Sequence, residues 1–198
     1  MQLFELRDLD SLALRSHPWS GSPSDPTLQH HNLVQSPKLI RTSLEDWRPW
    51  EHYPATESFY RLLEWLNGPG SVLETSDCAF NGPTPHELPD FDKALQCSGR
   101  LMLLFRDLSK NTDATKVHVL TQSLARALSQ IDTDFAWGAI GLTIVPVQFT
   151  TLPSPPEEQQ GAQVMLSLWT WGDDEAEAMT HMDRTISNLD TALRQVGS

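Results

Sequence analysis

The chain has 198 residues, with 26 acids against 14 lysines and arginines and a formal net charge of −12. That balance disfavours direct contact with nucleic-acid phosphates and with anionic membranes. No apolar run approaches the roughly 18 residues of a membrane helix, and Glu5, Asp8 and Asp10 break up the N-terminus where a secretory signal would be apolar.

Residues 1–55 lack a sustained hydrophobic period and are expected to form an irregular arm packed on a body of residues 56–198. Leu3-Phe4-Glu5-Leu6 has the makings of a short strand. The run from His17 to Pro26 is dense in turn formers. Trp19, Trp47 and Trp50 stand in this polar segment, where a disordered tail would be poor in aromatics. They predict an ordered arm anchored by indoles, lying over its own body or reaching a second copy.

The body begins with a helix over Glu57–Asn67, with Thr56 as N-cap and Phe59, Leu62, Leu63 and Leu66 as its apolar face. A strand is predicted over Ser71–Phe80, although its alternation is imperfect. After a turn-rich loop, Phe91–Gln96 reads as one helical turn and Arg100–Arg106 as a strand apolar on both sides. The next helix runs from Ala114 to Gln130, with Asn111, Thr112 or Asp113 as its cap.

Strands are predicted over Ala139–Phe149 and Gln163–Trp171. Pro146 has no amide hydrogen to donate, which points to an edge or a bulge. The connecting loop, Thr150–Gly161, is long for a hairpin and rich in proline and acid. It reads as a surface insertion, or as a lid. The last helix follows Gly172, capped by Asp173 or Asp174, with Glu175 and Glu177 in its first turn. Met179, Met182, Ile186, Leu189, Leu193 and Val196 form its buried stripe.

This order predicts an α+β fold: a four-stranded, mainly antiparallel sheet with helices on one face. It resembles the ferredoxin-like split βαβ plan with the last strand moved to the front. That resemblance is to a widely shared fold, and it implies no function. The helix-free face is expected to carry Val145, Phe149, Met165, Trp169 and Trp171, so it too needs cover. The arm, a second copy or a bound ligand would supply it.

The strongest polar cluster is Asp77 and Cys78 with His86-Glu87, a carboxylate, a thiol and an imidazole in one strand-loop unit. A structural cysteine beside a loop histidine is the plainer reading. His30-His31 would need further ligands, such as His17 or His52, to hold a metal. His118 and His181 read as helix-boundary residues. The acids of the last helix and the loop before it, including Asp174 and Glu175, form either a solvated face or a docking surface for a basic protein. No Walker loop, Gly-x-Gly-x-x-Gly, His-Glu-x-x-His, Gly-x-Ser-x-Gly or Cys-x-x-Cys motif is present.

Two functions are therefore expected. The first is a non-catalytic, cytoplasmic binding or accessory protein, taking a protein partner or a second copy of itself. It would use Phe149, Met165, Trp169 and Trp171, or Asp174 and Glu175. The second is a small enzyme, independent of metals and cofactors and built as a ferredoxin-like dimer. It would act on an apolar or aromatic metabolite through Asp77, Cys78 and His86, in a pocket between sheet and arm.

Overall fold

The computed structural model describes residues 1–6, 14–19, 30–86 and 92–197, with the backbone alone for Glu5 and Leu6. Its strands are β1 (Gln2–Leu6), β2 (Arg15–His17), β3 (Leu73–Pro85), β4 (Leu95–Phe105), β5 (Gly138–Phe149) and β6 (Gln160–Gly172). Its α-helices are α1 (Pro54–Leu66), α2 (Ala114–Gln130) and α3 (Glu175–Val196). The strands form one six-stranded sheet in the order β1-β5-β6-β4-β3, with β2 also on β5. The mixed α+β class holds. The sheet, however, has six strands rather than the expected four.

The two additional strands come from the segment expected to be irregular. β1 pairs in parallel with Ala139–Thr143 and β2 with Val147–Phe149, on the side of β5 away from β6. Pro146 falls in the gap between them, where its missing donor leaves no ladder bond unmade on that side. The inner strands β3-β4-β6-β5 are antiparallel throughout. Residues 20–26 of the turn run lie outside the described residues, as do Glu87 and Phe91. The helical turn expected to end at Gln96 is not formed there, because Leu95 and Gln96 already belong to β4.

The three helices share one face of the sheet. Leu101 and Leu103 of β4, Leu166 and Leu168 of β6 and Ile140 and Leu142 of β5 point into a core with them. α3 lies in the middle, and its Met179, Met182, Ile186, Leu189 and Leu193 are fully buried. Their spacing of three and four keeps them on one stripe, as the sequence requires. Asp174 caps α3 by accepting from the Glu177 amide at 2.8 Å, and Asp113 caps α2 by accepting from Thr115 at 3.0 Å. α1 starts at Pro54, two residues before the expected Thr56 cap. Proline suits the first helical position because its absent N–H has no partner there anyway.

β3 explains its own imperfect alternation. The register slips between Thr75 and Asp77, so Leu73 and Thr75 face the helices, then Cys78 and Phe80 do. The extra residue, Ser76, is a bulge that turns Asp77 to the helix-free side. Beyond this edge strand, the short 3-10 helix Glu45–Trp50 inserts Trp47 between Phe59 and Phe80, with ring centroids 4.3 and 3.8 Å away.

Candidate functional site

The helix-free face divides into two parts. At the far end of β5, Met102, Leu104, Val145, Val147 and Phe149 are buried. Leu108, Leu152 and the His17 ring, 6.0 Å from Phe149, pack on them. The long loop between β5 and β6 takes part in this cover. Gln159 donates to the carbonyls of Leu152 and Ser154, both at 2.6 Å, which braces the loop internally, and Leu152 ties it to the body. At the near end, Met165, Trp169 and Trp171 are half-buried. The Trp169 ring lies across Gly141, where a Cβ would stand 3.0 Å from it. Phe4, level with Gly141 in the register, is 45% exposed.

The acids of α3 serve the fold itself. Lys93 holds Asp173 and Glu177, each at 2.8 Å. Tyr53 donates to Glu175 at 2.6 Å, which pushes the phenol up to about 12. Ser58 donates to Asp183, and Arg194 pairs with Asp190. Asp174 is occupied as a helix cap. A cluster that looks uncompensated in the sequence is thus largely satisfied by residues distant along the chain.

The three residues expected to form a catalytic group are not assembled. Asp77 and Cys78 point to opposite faces of β3. His86 is eight residues beyond Cys78, roughly 25 Å at about 3.3 Å per residue. Burial, with Asp77 and Asp46 nearby, pushes the Cys78 thiol up to about 12. It is therefore a protonated thiol at neutral pH and a poor nucleophile. Cys97 is pushed up to about 12 as well, chiefly by burial. Both cysteines are free. Among the described residues there is no cluster able to hold a metal, and no helix long and apolar enough to cross a membrane.

Asp77 instead belongs to a different constellation. Its Oδ2 accepts from Arg100 Nη2 at 2.8 Å and lies 3.6 Å from Arg15 Nη1. One carboxylate oxygen thus serves two guanidiniums, brought from β4 and from the outermost strand β2. His30 joins them. Its ring packs edge-on against His17 at 5.1 Å, and burial lowers its pKa from the ordinary value, with the Ser76 backbone acting the other way.

These groups line a cleft of about 720 Å³ between the edge of β3 and the chain from His30 to Trp47. Trp19 lines it as well, with Leu33, Leu44 and Trp47 as apolar lining and Glu45 and Asp46 as acids. Asp46 accepts from the Phe80 amide, three residues along β3 from Asp77. The cleft therefore holds both basic and acidic side chains.

Six buried side-chain atoms among the described residues have no hydrogen-bond partner, and three of them, His30 Nδ1, Trp47 Nε1 and Arg100 Nε, belong to residues that line this cleft, although the atoms themselves are shielded from solvent. Unmatched buried polar atoms are costly and uncommon, so their concentration here singles the cleft out. A second, apolar groove of about 570 Å³ runs between α2 and the end of α3, and none of the six lies on it.

The sequence reading missed Arg15 and Arg100 and considered His30 only as a metal ligand. Arg100 did leave a signal. It is a charge directly before the apolar run Leu101–Phe105, and a part-buried charge of that kind calls for a counter-charge nearby. No family model, no curated protein and no solved structure matches this chain.

Proposed function

We propose that the protein is a non-catalytic binding protein whose site is the cleft between the N-terminal arm and β3. The observation that carries this reading is the gathering of Arg15, Arg100, Asp77 and His30 in one cavity of about 720 Å³. Small-molecule sites are commonly ~300–1,000 Å³, mostly apolar, with a few convergent polar groups. The cleft lined by Trp19 and Trp47 supports a pocket between sheet and arm there, in place of one at Trp169 and Trp171. The high Cys78 pKa and the distance to His86 favour binding over catalysis by Asp77, Cys78 and His86.

The test is a fragment screen read by amide NMR on the full chain. Hits should move the amides of Arg15, His30–Leu33 and Thr75–Cys78. Hits confined to the Phe4–Trp169 surface would overturn the reading.

A protein partner or second copy on that surface is the second reading, favoured by the exposure of Phe4 beside Trp169. Its area argues for a light contact. Aromatic side chains carry about 150–250 Å² each, so one half-exposed ring and two mostly covered ones offer roughly 200 Å². A stable interface takes about 800 Å² per partner. An obligate homodimer through these rings alone is therefore disfavoured.

The inner order β3-β4-β6-β5 supports the permuted ferredoxin-like plan, with β1 and β2 added at its edge. Two free thiols support a cytoplasmic setting. The net charge of −12 supports a ligand other than nucleic acid.

A further inference from the structure

We propose that β2 is an acid-released latch: charging of the His17–His30 imidazole pair frees the chain from Arg15 to Trp19 from β5, and opens the cleft, while the main core stays closed. The latch acts on the wall of the cleft, whatever the cleft holds.

The two strands on the outer edge of β5 are held differently. β1 has five residues, and its Met1 neighbour and Leu3 pack on the main core. β2 has three residues and pairs with Val147–Phe149. The apolar cluster there, Leu104, Val147 and Phe149, is separate from the main core. Further along the arm, Leu33 belongs to the main core again. A short stretch on a small cluster of its own, between two points fixed elsewhere, is suited to opening by itself.

His17 fastens this stretch. Its ring is 7% exposed, 6.0 Å from Phe149 and 5.1 Å from His30. Its carbonyl accepts from the Thr150 amide at 2.9 Å and from the Thr150 hydroxyl at 3.1 Å. The pair of Arg15 with Asp77, at 3.6 Å and part-exposed, adds little.

A proton on His17 is poorly received by the groups around it. β5 presents Phe149 and Thr150, neither of which carries a charge. The cleft chain presents His30, with His31 next to it. Arg15, on the same side of β2, and Arg100, from β4, are cations. Asp77, from β3, serves both guanidiniums, and its pull on His30 is outweighed by burial. Of the other acids on the cleft, Asp46 accepts from the Phe80 amide and Glu45 lies 3.9 Å from Arg48.

Burial, with His30 adding to it, holds His17 at about 4 against an ordinary 6.5, and burial lowers His30 too. On release both rings reach water and recover ordinary values. The released form therefore binds protons that the docked form refuses. Docking is strongest above pH 6.5 and weakens as pH falls toward 4. His17 alone should change the ratio of docked to released chain roughly 20-fold between pH 7 and pH 5. His30 adds to this. Arg15 and Trp19 line the cleft, so their departure opens it.

The experiment follows amide hydrogen exchange by NMR on the full chain from pH 7.5 to pH 5. Rates are taken as protection factors, which removes the intrinsic effect of pH on exchange. The Thr150 amide, bonded to the His17 carbonyl, should lose protection about 20-fold or more. The amides of Leu168 in β6 and Leu189 in α3 report the main core and should keep theirs. His17→Phe supplies a ring that takes no proton and should remove most of the loss at Thr150. His30→Phe should make the loss shallower.

Equal losses at Thr150 and in the core would mean global acid unfolding and would overturn the latch. A Thr150 amide that stays protected overturns it too, as does a loss that His17→Phe leaves undiminished. Thermal unfolding at pH 7.5 checks that each variant is folded. Should His17→Phe not fold, His30→Phe decides, and a loss as steep as that of the unaltered chain overturns the pair. The fragment screen, run at pH 7.5, tests the binding site separately, so either reading can fail while the other stands.

Discussion

At one end of the helix-free sheet face, Phe149 is fully buried beneath His17 and the β5–β6 loop, while at the other Phe4 is 45% exposed beside Trp169. The strands are the same and the side chains are similarly apolar. The difference is the covering chain: β2 and the β5–β6 loop reach only as far as the end of β5. A strand that is apolar on both sides therefore reports a need for cover, but does not say which part of the chain meets it. Where the arm does reach, it also encloses the polar cleft, so one segment both completes a core and forms a site.

The largest expected contrast comes from emptying each end in turn. Phe149→Ala leaves a closed cavity and should cost about 3–5 kcal/mol, measured by denaturant unfolding. Trp169→Ala opens onto solvent, so no closed void remains, and about 1–2 kcal/mol is expected. Equal losses would mean that the two ends are equally enclosed.

The next effect is on pH dependence and concerns the covered end alone. Burial, with His30 adding to it, holds His17 down at about 4 against an ordinary 6.5. Between those values the unfolded chain binds a proton that the folded chain refuses. Stability should fall as pH drops through that window and level off below it, by roughly 3 kcal/mol at most. His17→Gln should remove most of the slope between pH 7 and pH 4. A residue belongs to His30, whose pKa is lowered for the same main reason. An unchanged slope would show that His17 is not the group that titrates.

The smallest effect tests the uncovered end. Gly141→Ala puts a methyl 3.0 Å from the Trp169 ring, which has solvent to move into. Less than about 1 kcal/mol should be lost, together with a red shift of indole fluorescence. A loss as large as that of Phe149→Ala would mean that the ring is locked in place.

Much of the helical layer was legible in the sequence because its signals are local. The bounds of α2, the Asp174 cap and the methionine-leucine stripe of α3 each follow from neighbours three or four residues apart. The antiparallel strands were legible as elements. Their neighbours were not, and neither was the parallel attachment of β1 and β2, because a pairing partner far along the chain leaves no periodic trace. The bulge at Ser76 shows the same limit at a finer scale. It appears in the sequence only as broken alternation, yet it turns Asp77 toward Arg100. The cleft was harder still, because its residues come from four separate segments. The acidic helix shows the converse error, in which charge was counted along the chain while Lys93, Tyr53 and Ser58 reached it through space.

The outer edge of β5 has a consequence for how the molecule is made. Its two covering strands are synthesised before it, with about 120 residues between His17 and Gly138. During translation they must wait unpaired until β5 emerges. Until they dock, the row of amides along β5 is free to pair with another nascent chain. The interruption at Pro146 shortens that row into two brief stretches, so an incomplete molecule offers a stranger little to zip onto.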